Sequence, residues 1–323
     1  MKKLALTAVL VATVAFFGGK WYLHHKLEKG LEQAIMMASP FVTITYDSVS
    51  STLDGKLSIN GIVAREMMGY RDPLTIGSLG LDTPSIVTLI KLAGASDGDL
   101  RSLDDMPEYL GVFADDVRMP VDADYLKKLH QVRMQAVQAD DADTVAAECT
   151  GKYGFSPAVL HDLGYSEQIV SAAITFRQQD TGGYSIEADT AIDDMWALDM
   201  VMQVAGDLRM DMSSGSSWRP KLNRLRVSYT DDSLKERVRR YCRSRGLSDD
   251  EIITAQLDAF VARGESSGIV FDDYVLDPYR EYLAGKSTLV VTAEPNSPVD
   301  VSKIDLYKPS DVPALLNLNA EAL

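Results

Sequence analysis

Six cations fall within eleven residues of this chain: Lys235, Arg237, Arg239, Arg240, Arg243 and Arg245. Guanidinium forks donate paired hydrogen bonds to phosphate and carboxylate oxygens, so such a run can hold an anion. Arg237, Arg240 and Arg243 are the candidates for an anionic headgroup site. Asp231, Asp232, Asp249 and Asp250 flank the run. A solvated, salt-bridged helix accounts for the same residues and is the simpler reading. Cys149 and Cys242 are the other reactive pair. In an oxidising compartment they close a large loop; otherwise they are two separate buried thiols.

Other chemistry finds little support. His24 and His25 follow directly on an apolar N-terminal segment, which leaves His130 and His161. Neither has the HExxH context of a metalloprotease, no tetrahedral zinc pattern occurs, and both read as surface helix residues. The stretch Ile76-Gly77-Ser78-Leu79-Gly80 has the wrong spacing for a nucleophile elbow. No phosphate-binding loop or dinucleotide fingerprint is present. Paired aspartates recur at 104–105, 115–116, 193–194, 231–232, 249–250 and 272–273. They lack the spacing of a calcium loop and are read as caps and turns. A carboxylate pair for glycoside hydrolysis is not singled out by anything local. The sequence therefore assigns no catalytic residue, no metal and no cofactor.

The elements that would position these residues begin with an address. Lys2 and Lys3 precede the apolar run Leu4–Gly19, and Lys20, Trp21 and Tyr22 follow. This pattern is a cleaved signal peptide or an uncleaved signal anchor. The bulky Phe16 and Phe17 crowd the best cleavage position, which favours the anchor. Residues 4–23 would span roughly 30 Å as a helix, enough for a bilayer core. The expected placement is a single pass through a bacterial inner membrane with the C-terminal body in the periplasm. Leu23, Leu27, Leu31 and Ile35 then continue one helical stripe to Pro40. The expected division is an anchor and helical neck over 1–39 and a periplasmic α+β domain over 40–323, with a sub-repeat boundary near 150.

Net charge is −15. Removing the five Lys/Arg and one Glu before Gly30 leaves 27 basic against 46 acidic residues, or −19, in the body. Such a body repels polyanions, so nucleic acid is excluded as a partner.

The body opens on a hairpin. A two-residue turn at Asp54-Gly55 would put Ile44 and Tyr46 on one face with Leu57, Ile59 and Val63. These five are the candidate lipid- or partner-facing residues. Strands are expected over 74–82, 108–120, 170–176, 184–192, 196–204 and 225–229, with Leu208, Met210 and Met212 beyond. Helices are expected over 85–92, 122–137, 232–245 and 274–283. The capping box Ser248-x-x-Glu251 opens another. Two final strands are expected at 286–293 and 301–307. The fold class is α+β: an N-terminal transmembrane helix, then long antiparallel β-meanders with helices packed on one face.

An N-terminal anchor followed by "YDSVSSTLDGKLSINGI" resembles the opening of AsmA-like inner-membrane-anchored envelope proteins. "LHDLGYSEQIVSAAITFRQQDTGGYSIEADTAIDDMWALDM" is similar to their long-strand repeats. "LRVSYTDDSLKERVRRYCRSRGLSDDEI" and "KSTLVVTAEPNSPV" resemble the C-terminal half of uncharacterised periplasmic proteins of this type. The resemblance implies lipid handling through apolar β-grooves and carries over no catalytic residue. The resulting expectation is a non-catalytic, membrane-anchored envelope protein that binds lipid or a partner protein through an apolar sheet face. A purely structural scaffold and a periplasmic hydrolase are the alternatives.

Overall fold

The computed structural model describes residues 24–26, 28–65, 72–95, 107–135, 145–150, 155–180, 182–205 and 220–323. The expected anchor at 4–23, Leu27, Met67, the loop 138–144 and Leu208, Met210 and Met212 lie outside them. No helix among the described residues is long and apolar enough to cross a membrane. The fold is mixed α+β on antiparallel sheet. The described residues form two compact units that divide between Asp115 and Asp116, earlier than residue 150.

In the first unit, helix α1 covers 28–38. Strands β1 (Thr43–Thr45) and β2 (Ser48–Ser51) both pair with β3 (Lys56–Arg65), which pairs with β4 (Leu74–Asp82). The hairpin differs from expectation by one residue. Ser51 stands opposite Leu57, and Thr52 N–H donates to the Lys56 carbonyl at 2.9 Å. The loop is therefore the three residues Leu53-Asp54-Gly55. Gly55 has φ +94°, the left-handed residue that such loops require. Its carbonyl accepts from Thr83 Oγ1 at 3.1 Å. A one-residue slip moves every partner. Ile44 now pairs with Ala64, Thr45 with Val63 and Val49 with Ile59. Ile44 and Val63 occupy neighbouring pairs and point to opposite faces. The expected common face of Ile44 and Val63 is not formed.

Helix α2 (Ile86–Ala95) covers part of this sheet. Leu57 packs with Ile86 and Leu89, and Val49, Leu81 and Ile90 surround them. Leu57 is thus closed over by the chain's own helix.

Strand β5 (Tyr109–Pro120) carries the unit boundary. Asp115 and Asp116 lie inside it rather than at an element end, and Asp116 has φ 56°. The second unit is a meander of β6 (Glu167–Gln178), β7 (Tyr184–Ile192), β8 (Trp196–Ala205) and β9 (Lys221–Asp231). It continues to β10 (Thr288–Ala293); β11 (Val299–Asp300) adds to β9 and β12 (Leu318–Ala322) to β10.

Its helices are α3 (Asp124–Gln135), α4 (Val145–Thr150), α5 (Pro157–Asp162), α6 (Leu234–Ser244), α7 (Asp249–Ser266), α8 (Asp273–Ala284) and α9 (Val312–Leu315). The capping box is formed: Ser248 and Glu251 bond each other's backbone N–H at the start of α7. The strand expected at 301–307 is instead a 3-10 helix, Val301–Leu306. Asp300 accepts from the Ser302 N–H at 3.1 Å, a side-chain turn that diverts the backbone from an extended path.

Candidate functional site

Register decides the sheet's two faces. The pairs Ile174–Ala188, Ala188–Met200 and Met200–Val227 run across four strands. Phe176, Ile186, Met202 and Leu225 form the next row on the same side. Ile192, Trp196, Tyr229, Leu289 and Ala322 share that side by alternation. The opposite side carries Thr175, Glu187, Val201 and Arg226, then Asp189 facing Asp199. One face is apolar and the other mostly polar.

The helices cover one end of the apolar face. Tyr282 and Leu283 of α8 pack with Ala322, Tyr229 and Leu289. Met195, Val238, Cys242, Ile252 and Leu160 form the largest core cluster, against which Ile192 and Trp196 lie. Toward the other end, Phe176, Met200, Met202 and Leu225 are half-buried, Ile186 and Val204 are buried, and Ile174 is 37% exposed. Between helices and sheet run two crevices of about 250 and 290 Å³ that share Phe155 and Leu234. Leu126, His130, Ile192 and Trp196 line the first, and Tyr229, Lys235, Tyr279 and Tyr282 the second. His161 is exposed on α5.

Helix α6 sorts its cations in three directions. At about 100° per residue, Lys235 and Arg239 share one face. Both cap α8: Lys235 Nζ donates to the Tyr282 carbonyl at 2.9 Å and to the Lys286 carbonyl. Arg239 Nη2 donates to the Leu283 carbonyl at 2.6 Å. Cations suit these orphan carbonyls at a helix C-terminus. Lys235 also lies 4.2 Å above the Tyr282 ring. Burial pulls its ammonium below the ordinary lysine range, although the Asp231 charge pulls it back up. Burial likewise raises Asp231, against the opposing hydrogen bond from the Lys235 N–H. Burial also raises the Tyr229, Tyr279 and Tyr282 hydroxyls. Their neutral forms suit an apolar wall.

Arg243 points elsewhere. Its Nε donates to Asp249 Oδ1 at 2.6 Å and its Nη2 bonds the other oxygen. This bond holds the Asp249 carboxyl below the usual range. Arg243 is therefore a helix-to-helix ion pair and not a member of an anion site with Arg237 and Arg240.

The third direction carries Arg237, Arg240, Tyr241, Ser244 and Arg245, which with Asp162 and Leu163 line a cleft of about 350 Å³. Arg237 is held on four sides. It donates to Ser233 Oγ at 3.0 Å and the Leu163 carbonyl at 3.1 Å, pairs with Asp194, and lies 4.4 Å above the Tyr165 ring. Arg245 donates to the Tyr241 hydroxyl at 3.0 Å and stands 3.8 Å from Asp162. Arg240 is exposed and meets no carboxylate among the described residues. Arg245 is not singled out by sequence: the helical wheel sets Arg243 about 60° from Arg240 and Arg245 about 140° away, and it is the pairing with Asp249 that removes Arg243 from the group.

Cys149 of α4 is bonded to Cys242 of α6, with Cα atoms 5.9 Å apart. Gln256 of α7 donates to the Cys149 carbonyl at 3.0 Å. Among the described residues no three His, Cys, Asp or Glu are grouped so as to hold a metal ion.

A family model described only as "Uncharacterized protein" matches residues 175–323, less than half of the chain. No curated protein matches the chain. No solved structure matches it either.

Proposed function

We propose that this chain is a non-catalytic, AsmA-like envelope protein. Residues 4–23 hold it in the inner membrane, and the body stands in the periplasm and binds lipid along the apolar side of β6–β9. The observation that carries this reading is the mismatch between that face and its cover. In the row Ile174, Ala188, Met200 and Val227 the last three are half-buried and Ile174 is 37% exposed, although Ile186 in the next row is buried. A partly open apolar row of this kind can take an apolar ligand or partner. A membrane tether in the same chain favours lipid as the occupant. The Cys149–Cys242 bond suits an oxidising compartment.

A second reading is a scaffold whose apolar faces are closed by its own helices. It is favoured by Leu57, which lies beneath Ile86 and Leu89. Native mass spectrometry of the full chain extracted in mild detergent separates the two. Lipid binding predicts a co-purifying lipid mass that Ile174→Glu diminishes. Extraction without lipid would favour the scaffold and end the lipid reading.

A further inference from the structure

We propose that the cleft along α6 binds one phosphate-type oxyanion, with Arg240 as its principal donor and Arg237 and Arg245 as fixed flanks. The site is separate from the apolar sheet face and does not depend on lipid binding there.

The cations of α6 differ in the partners they already have. Lys235 and Arg239 are occupied by the carbonyls at the end of α8, and Arg243 by Asp249. Those three already have structural partners. Arg237 spends three donors on Ser233, Leu163 and Asp194, which fixes its plane and leaves two N–H groups of its fork. Arg245 is steadied by Tyr241, whose ring its guanidinium faces at 5.0 Å. Arg240, on the wall of the same cleft, has no ion pair among the described residues. Two anchored guanidiniums beside an unpaired one form a partly organised oxyanion cradle.

Charge sets the ligand's size. Three guanidiniums face Asp162 and Asp194, and Glu148 accepts from the Tyr241 hydroxyl on the same wall, so the excess is at most a single positive charge. This suits one phosphate-type group rather than a polyanion, and the body's −19 repels anything larger. A cleft of about 350 Å³ has room for such a group. Ser244, whose hydroxyl donates to the Tyr241 carbonyl at 2.6 Å, sits on its wall. The same chemistry is offered by soluble phosphate and by a phosphatidylglycerol headgroup.

Calorimetric titration of the full chain in neutral detergent micelles tests this. One arm adds inorganic phosphate. The other adds mixed micelles of phosphatidylglycerol, with phosphatidylcholine micelles as reference. Saturable binding is expected in at least one arm. Phosphate alone identifies a soluble ligand. Preference for phosphatidylglycerol over phosphatidylcholine identifies a headgroup. Arg240→Ala should weaken binding about tenfold, the effect of one charge-assisted hydrogen bond. Arg243→Ala removes the same charge from the same helix outside the cleft and should leave affinity within about twofold. Because Arg240 carries no ion pair, its variant should keep the wild-type melting midpoint. Equal weakening by both variants would mean diffuse attraction and overturn the proposal, as would the lack of saturable binding in both arms.

Discussion

Opening the Cys149–Cys242 bond should destabilise the second unit by several kcal/mol. The two residues are 93 apart in sequence. In the chain-entropy treatment a loop of that length restricts the unfolded chain by about 4.6 kcal/mol at 25 °C. Both sulfurs lie in the largest core cluster, at 1% and 0% exposure, so solvent does not relieve the loss. The double variant Cys149→Ala with Cys242→Ala is the cleaner perturbation, because two unlinked thiols need more room than one bridge. With a urea slope of about 2–3 kcal/mol per molar, the midpoint should fall by about 1.5–2.3 M. The slope itself should rise, since the unbridged chain unfolds to a more open ensemble. Urea unfolding followed by aromatic-region circular dichroism reads both quantities. A local signature should accompany the global one. α4 is only six residues long, and a helix of that length does not persist without tertiary support. Its amides should lose hydrogen-exchange protection before those of α7. A midpoint within about 0.3 M of wild type, together with unchanged protection in α4, would show that the bridge neither limits the unfolded chain nor holds α4, and the reasoning would fail.

Gly55→Ala should cost about 2 kcal/mol or more. Its φ of +94° is strained for any L side chain, and a Cβ there would meet the Thr83 carbonyl and the Ser85 N–H. Thermal melting gives the number; a change under about 0.5 kcal/mol would contradict the three-residue loop. Asp189→Asn should stabilise the protein at pH 7 by about 0.3–0.5 kcal/mol, the low end for like charges across strands because the site is solvent-screened. Burial first, and then the Asp199 charge, raises the Asp189 carboxyl in the folded state. A raised acid favours the fold below its unfolded pKa and loses that benefit as pH rises through the folded value. The variant's advantage should therefore be present at pH 7 and vanish near pH 3. An advantage independent of pH would refute the linkage.

Much of the second unit was legible in its sequence because its signals are local. Val170 to Phe176 and Tyr184 to Ile192 alternate without interruption, and the structure pairs them as β6 and β7. Ser248 and Glu251 sit at the one spacing that lets each side chain reach the other's N–H. The errors arose where distant contacts select between similar local states. Leu53-Asp54-Gly55 suits a two- or three-residue loop equally well on composition. Thr83, 28 residues away, anchors the Gly55 carbonyl and accompanies the longer one. Val301 to Tyr307 has enough β-branched and aromatic residues for a strand, but Asp300 ties the backbone into a turn first. β12 escaped notice because Leu318–Ala322 has little β-propensity of its own; pairing with β10 supplies it.

The cation run shows the same division with more consequence. As a linear string, six positive charges invite an explanation by composition, and composition cannot tell a salt-bridged helix from an anion site. Folding into a helix separates them by angle and by position along its axis, and different neighbours meet them. The end of α8 takes Lys235 and Arg239. The start of α7 takes Arg243 through Asp249, a carboxylate in its own first turn. Val238, Tyr241 and Cys242 occupy the buried side, so the helix cannot rotate to regroup its charges. The salt-bridged reading therefore holds for Arg237, Arg239, Arg243 and Arg245, while Lys235 is taken by carbonyls and Arg240 is left over. What is left after every structural partner is assigned is the group around Arg240, and a binding role has to be argued from that remainder rather than from the density of the run.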